Sequence, residues 1–188
     1  MVELFLAIPL FLAFLITLFS IPIWIKRASG VDLAGRDMHK LSGEKVAEAG
    51  GVAVIMGFII GILSYIAIKT FYFESGENII EIFASFSGIL IMAFIGFADD
   101  ILGWKIGMNK KTRIIFLLFA SIPLIVINAG QSTIAGINLG WIYPVLFIPI
   151  GIVGAAATFN FLAGYNGLES SQGIIILTAL SAITYIAG

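Results

Sequence analysis

The sequence contains no cysteine. A disulfide framework, a thiolate metal site and thiol chemistry are therefore excluded. It has a single histidine, His39, so no multi-histidine metal site can form within the chain. Charge is scarce: 11% of residues are Asp, Glu, Lys or Arg, against about 25% in soluble domains. The net charge of −1 argues against a broadly basic nucleic-acid binder, and no nucleic-acid partner is expected. What abounds is apolar surface. Of 188 residues, 60% are hydrophobic, more than so small a body can hide from water. A water-soluble globule and a disordered chain are both ruled out. An integral membrane protein remains, with room for about six or seven spans.

The charges lie between apolar runs at residues 4–25, 49–68, 82–98, 114–127, 141–162 and 173–186. Backbone groups find no water partner in lipid, so only helices or closed barrels cross. These runs are continuous rather than alternating, which selects helices. The expected class is all-α, a polytopic membrane protein with about six transmembrane helices. The first run has Glu3 and no basic residue before it, so it reads as a retained signal anchor rather than a cleaved signal peptide. Lys26, Arg27, Arg36, Lys40 and Lys45 follow the first run, and Lys105, Lys110, Lys111 and Arg113 follow the third. The positive-inside rule places these loops in the cytoplasm, with the N-terminus outside. Residues 163–172 form the third loop on that face. Lys69 lies on the outer side with Glu74, Glu77 and Glu81. There, residues 131–140 are expected to form a small hairpin turning at Gly136-Ile137-Asn138.

The span centres hold no Asp, Glu, Lys, Arg or His, which argues against a proton relay or an ion path. A site at the cytoplasmic surface, where a water-soluble substrate meets a lipid-borne one, fits better. Gly96-Phe97-Ala98-Asp99-Asp100 sets two carboxylates at the expected end of the third helix, where the macrodipole disfavours anions. They either mark the water boundary or hold Mg2+, which takes one or two carboxylates plus substrate phosphates. Neighbours on a helix point about 100° apart, so one Asp can bind metal while the other binds something else. Asn160 lies at the same depth, ahead of Phe161-Leu162-Ala163-Gly164-Tyr165-Asn166-Gly167-Leu168-Glu169. Its side-chain oxygen suits the same metal, and the glycines permit either an ordinary turn or close approach to a ligand. In the long loop 26–48, Gly35-Arg36-Asp37-Met38-His39-Lys40 offers cations to phosphates, or serves topology alone. Lys105, Lys110, Lys111 and Arg113 read first as topology signals, and equally suit a lipid phosphate below the bilayer.

Together the three loops resemble the polyprenyl-phosphate N-acetylhexosamine-1-phosphate transferases, glycosyltransferase family 4. Gly35 to Lys40 with Glu48-Ala49-Gly50-Gly51 is similar to the family's first cytoplasmic loop. Gly96 to Asp100 is similar to the second, and Asn160 to Glu169 to the third. Leu162-Ala163-Gly164-Tyr165-Asn166-Gly167-Leu168-Glu169 resembles the eukaryotic and archaeal branch, which uses UDP-GlcNAc and dolichyl phosphate. Bacterial members usually have an aspartate-glycine pair there.

The resemblance implies a Mg2+-dependent transferase, with Mn2+ as the alternative ion. It would move N-acetylhexosamine-1-phosphate from a UDP-N-acetylhexosamine to a polyprenyl or dolichyl phosphate and release UMP, the first step of lipid-linked glycan assembly. Asp100 and Asn160 would hold the metal, with Asp99 as the paired acid. Arg36, Asp37, Met38 and Glu48 would line the nucleotide-sugar site, and Gly164 and Asn166 would contact uridine. Residues 153–161 would flank the lipid phosphate. The family has a lysine about nine residues after the acidic pair; here position 109 is Asn, and Lys111 or Lys110 takes the role before Arg113. Ala157 stands where many relatives have a further Asn. The resemblance also implies about ten spans, so residues 1–188 are expected to be the N-terminal part of one transmembrane transferase domain. The implied site faces the cytoplasm, in the plasma membrane or in the ER membrane of a eukaryote. A homodimer stays open. The alternatives are a non-catalytic module of the same family and another membrane transferase. Prenyltransferases need two aspartate-rich motifs, and the only aspartates are Asp32, Asp37, Asp99 and Asp100.

Overall fold

The computed structural model describes residues 2–31, 33–36, 45–106, 108–134, 136–161 and 167–187. Helix α1 is Val2–Gly30, and a small hairpin follows it, β1 Ala34–Arg36 and β2 Lys45–Ala47. Helix α2, Gly51–Ala67, runs on into a π-helical turn at Ile68–Tyr72. Then come α3 Ile79–Ile106, α4 Lys110–Ala120 and α5 Ile122–Ile127. A second hairpin pairs β3 Thr133–Ile134 with β4 Ile137–Asn138. A π-helical turn at Tyr143–Phe147 leads into α6 Ile148–Phe161, and α7 is Leu168–Ala187.

Among the described residues, three helical stretches are long and apolar enough to cross a membrane: Ala7–Gly30, Gly51–Tyr72 and Ile79–Leu102. The chain is an integral membrane protein. Its large apolar side chains point outward, with Leu10 at 73% and Phe94 at 70% exposure. The buried apolar set is mostly small: Ala28, Ala53 and Ala120, with Ile95 and Leu117. Lipid tails are as apolar as leucine, so helices in a bilayer gain more by close approach of small residues than by burying large ones.

The α1–α2 pair is the most extensive packing in the molecule. Ala53, Gly57 and Gly61 form a small-residue stripe at four-residue spacing on α2 and are buried. A Cβ on Gly57 would lie 2.6 Å from the Ala13 carbonyl oxygen of α1, and one on Gly61 3.0 Å from the Ala13 Cβ. The backbone atoms of α1 cannot yield. Gly57→Ala should therefore destabilise the helix pair by about 1–3 kcal/mol. Gly51→Ala should be neutral within about 0.5 kcal/mol, since a Cβ there meets nothing within 4 Å. Denaturant titration in detergent micelles compares the two. At the other end of this pair, Phe5 of α1 packs its ring on Tyr72 and Phe73, with centroids 4.5 and 5.8 Å apart.

Three expectations from the sequence need correction. The run 114–127 is not one span but two short helices, α4 and α5, meeting at Ser121. Pro123 lacks the N–H that would continue the ladder, and Ser121, fully buried, donates its hydroxyl to the Leu118 carbonyl at 2.6 Å. Next, the hairpin expected within residues 131–140 forms, but Ile137 and Asn138 belong to its second strand, opposite Ile134 and Thr133. The connection contains Gly136 at φ +81°, a left-handed conformation that suits glycine. Last, α3 does not stop at the acidic pair. It continues to Ile106, so Asp99 and Asp100 sit within a helix rather than at its end.

Candidate functional site

The first loop supplies a short ribbon. Ala34 pairs with Ala47, Gly35 with Val46, and Arg36 with Lys45. The ladder extends one step further, with the Glu48 N–H donating to the Leu33 carbonyl at 3.1 Å. The Glu48 side chain then folds over Gly35, and a Cβ at that glycine would collide with the carboxylate Oε1. The bare glycine permits this close approach, and a Cβ there would push the carboxylate end of Glu48 aside. The next residue, Ala49, is left-handed at φ +54°, a conformation disfavoured by about 1–2 kcal/mol for a residue with a Cβ. The indole N–H of Trp24 on α1 donates to the Glu48 carbonyl at 3.0 Å. Arg36 ends β1 across from Lys45. The side chain of Arg36, and the whole of Asp37 and Met38, lie outside the described residues.

The second loop carries the acidic pair. Because α3 is continuous there, Asp99 and Asp100 diverge by about 100° around the helix. Asp99 turns toward α4. Its Oδ2 pairs with the Arg113 guanidinium, and its Oδ1 accepts the Met108 N–H at 2.9 Å. Both carboxylate oxygens are thus engaged. Asn109 caps α4: its Oδ1 accepts the Thr112 N–H at 2.8 Å and the Thr112 hydroxyl at 2.9 Å. Position 109, where the resemblance implies a lysine, is therefore a helix cap. The cap starts α4 with Lys110, Lys111 and Arg113 in its first turn, where cations oppose the macrodipole. Lys111 is exposed on that turn. Arg113, which the sequence ranked behind the two lysines, pairs with Asp99 of the acidic pair.

The third loop arrives between α6 and α7. Asn160 lies in the last turn of α6, its side chain outside the described residues, as are Gly164 and Asn166 entirely. Past them, Gly167 is left-handed at φ +81°. Its carbonyl accepts the Ser171 N–H at 2.9 Å and hydroxyl at 2.8 Å, starting α7 with Glu169 in the first turn. Glu169 there matches the helix dipole.

Asp100 is under the charge of residues from all three loops. It is exposed, and Asp99, Glu48, Arg113 and Glu169 all lie close enough to act on it electrostatically. These residues come from all three loops. Three carboxylates and one guanidinium act on it, and that guanidinium is bonded to Asp99. Such a surplus of negative charge calls for a cation. Among the described residues, no three acidic or histidine side chains gather closely enough to ligate a metal by themselves. An oxygen-only donor set, with Asp100 exposed and not ion-paired among the described residues, fits a hard ion completed by phosphate and water, as Mg2+ is usually held.

A sequence profile of the family described as glycosyl transferase family 4 matches residues 82–188. A protein of Saccharolobus solfataricus, provisionally named UDP-N-acetylglucosamine–dolichyl-phosphate N-acetylglucosaminephosphotransferase, is 32% identical over 181 residues, covering 94% of this chain and 53% of the relative. The protein of that name in Dictyostelium discoideum is 28% identical over 168 residues, covering 81% of this chain and 40% of the relative. The phospho-N-acetylmuramoyl-pentapeptide-transferase of Streptococcus equi subsp. equi is 28% identical over 200 residues, covering 94% and 56%. The chain spans about half the length of the curated relatives it matches. With the profile running through the acidic pair, the third loop and more than half of its residues, the chain belongs to glycosyl transferase family 4.

Proposed function

We propose that the protein transfers GlcNAc-1-phosphate from UDP-GlcNAc to a dolichyl or other polyprenyl phosphate at the cytoplasmic face of its membrane. The observation that carries this reading is the charge of residues from all three loops acting on Asp100, in a chain whose relatives are named for this transfer. An oxygen of the lipid phosphate attacks the β-phosphorus of UDP-GlcNAc. The bond from that phosphorus to the bridging oxygen breaks, and UMP leaves with the electron pair. The product is a lipid diphosphosugar.

Asp100 and Asn160 would hold Mg2+, whose chemistry here is to neutralise the diphosphate and stabilise the departing UMP. Arg36, Asp37, Met38 and Glu48 bind the sugar nucleotide, and Gly164 and Asn166 the uridine. Lys111, exposed on the first turn of α4, meets phosphate. The second ionisation of a phosphomonoester lies near about pH 6, so the lipid nucleophile is mostly dianionic at neutral pH. A strong general base is not needed. Asp99, with both oxygens bonded to Arg113 and Met108, positions the loop and tunes charge rather than taking a proton.

The test is an assay of membranes carrying the protein with labelled UDP-GlcNAc, dolichyl phosphate and Mg2+. Formation of lipid diphospho-GlcNAc with equal UMP release is expected, abolished by a chelator. Folded protein that forms neither product would overturn the proposal in favour of a non-catalytic module.

A further inference from the structure

Trp24 occupies a place that the sugar-phosphate chemistry does not explain. It lies in the last third of α1, just ahead of Lys26 and Arg27. Aromatic residues at that depth commonly serve as interfacial anchors, with the polar edge in water or headgroups. Here the indole N–H is spent inside the protein, on the Glu48 carbonyl at 3.0 Å. The ring meets Phe97 of α3 edge-on, with centroids 6.4 Å apart and planes at 62°. Phe97 is two residues ahead of Asp99. One side chain on α1 thus touches the closing residue of the first-loop ribbon and the helix that carries the acidic pair.

The Glu48 peptide is held from every side. Its N–H is bonded to Leu33, its carbonyl to Trp24, its side chain lies on Gly35, and Ala49 behind it is left-handed. A residue in a disfavoured backbone region persists only where its surroundings over-determine it. The Trp24 N–H is the part of that restraint that does not come from the ribbon itself. Without it, the ribbon keeps its ladder and the Leu33 N–H bond to the Ala28 carbonyl at 3.0 Å, but loses the side-chain tie from α1 to Glu48.

We propose that Trp24 is a positioning residue, setting the first-loop ribbon against α3 just ahead of its acidic pair so that Glu48 meets the sugar nucleotide in register. The inference rests on the proposed transferase reading for its kinetic consequence, and on the structure alone for its mechanical one. It predicts a loss in nucleotide-sugar binding, not in the transfer step, because Trp24 lies behind the ribbon.

Trp24→Phe keeps a ring on Phe97 and deletes only the donor. Since the chain has no cysteine, a nitroxide on Val46→Cys, an exposed position of β2, reports the ribbon in this chain in lipid vesicles. In Trp24→Phe the label's rotational correlation time should fall about twofold or more. In Trp141→Phe, a control on an exposed indole far along the chain, it should not change. The KM for UDP-GlcNAc should rise about tenfold with kcat within about twofold. A label spectrum unchanged in Trp24→Phe, or changed equally in Trp141→Phe, would overturn the inference, as would a kcat loss at constant KM. If the parent protein releases no UMP, the transferase reading fails by itself, and the label comparison still decides whether Trp24 sets the ribbon.

Discussion

Asp100→Asn should lower sugar-phosphate transfer about a thousandfold while leaving the protein folded. The substitution keeps the shape of the side chain and removes one negative charge. In the structure that charge lies among three other carboxylates, Asp99, Glu48 and Glu169. Removing it relieves repulsion, so thermal stability should hold or rise. Activity should fall because Asp100, unlike its neighbour Asp99, is exposed and carries no ion pair among the described residues, which leaves its charge for a cation. A hard cation prefers charged oxygen, and an amide oxygen holds it more weakly. The check is kcat against Mg2+ concentration beside a melting curve. Partial recovery at high Mg2+ would support a ligand role. A melting temperature that drops with the activity would instead make Asp100 structural.

Asp99 should behave differently, although it is the neighbouring residue and the same side-chain type. Arg113→Gln leaves Asp99 partly buried without its cation and should cost about 1–3 kcal/mol of stability. Asp99→Asn retains the acceptor for the Met108 N–H, but strands Arg113. The double variant removes both charges and should be more stable than the sum of the singles implies, by about 0.5–3 kcal/mol. Activity should fall about 10–100-fold in each single variant, the size typical of groups that orient others. The pH profile separates positioning from proton abstraction. Activity should rise through the second ionisation of the lipid phosphate, near about pH 6, in parent and Asp99→Asn alike. The deficit of Asp99→Asn should be the same on either side of that rise. A deficit that disappears at high pH would make Asp99 the proton acceptor. Chemical denaturation in micelles and UMP release across pH measure the two halves of this prediction.

Much of this molecule was legible in order of residues. The apolar runs gave the long helices, because a span needs only length and hydropathy. The same logic misread residues 114–127, where composition is apolar throughout but Pro123 and the buried Ser121 break the helix. It also placed the end of α3 at Asp99-Asp100, since charges usually end a span; the helix continues to Ile106. Among site residues, Asp99 and Asp100 stood out as adjacent acids, and the idea that they serve different partners followed from helix geometry alone. Arg113 did not stand out beside Lys110 and Lys111. The signal was present in Asn109 and Thr112, a capping pair that fixes where α4 begins and hence which basic residue lies one turn in. Trp24 carried no motif, because its partner is a backbone carbonyl and any residue supplies one.

From composition and spacing alone, the chain was an integral membrane protein of helices with its polar chemistry gathered in three loops. A bilayer imposes that solution on any sequence with so little charge and so much apolar surface. Which carboxylate is paired and which faces the site was a tertiary matter. It depends on the phase of α3 against α4 and on a single guanidinium, and of these only the start of α4 has a sequence signature, in its Asn109 and Thr112 cap. The small-residue seam of α1 on α2 was likewise decided by approach distance, since Gly57 and Gly61 acquire their meaning only when Ala13 lies against them.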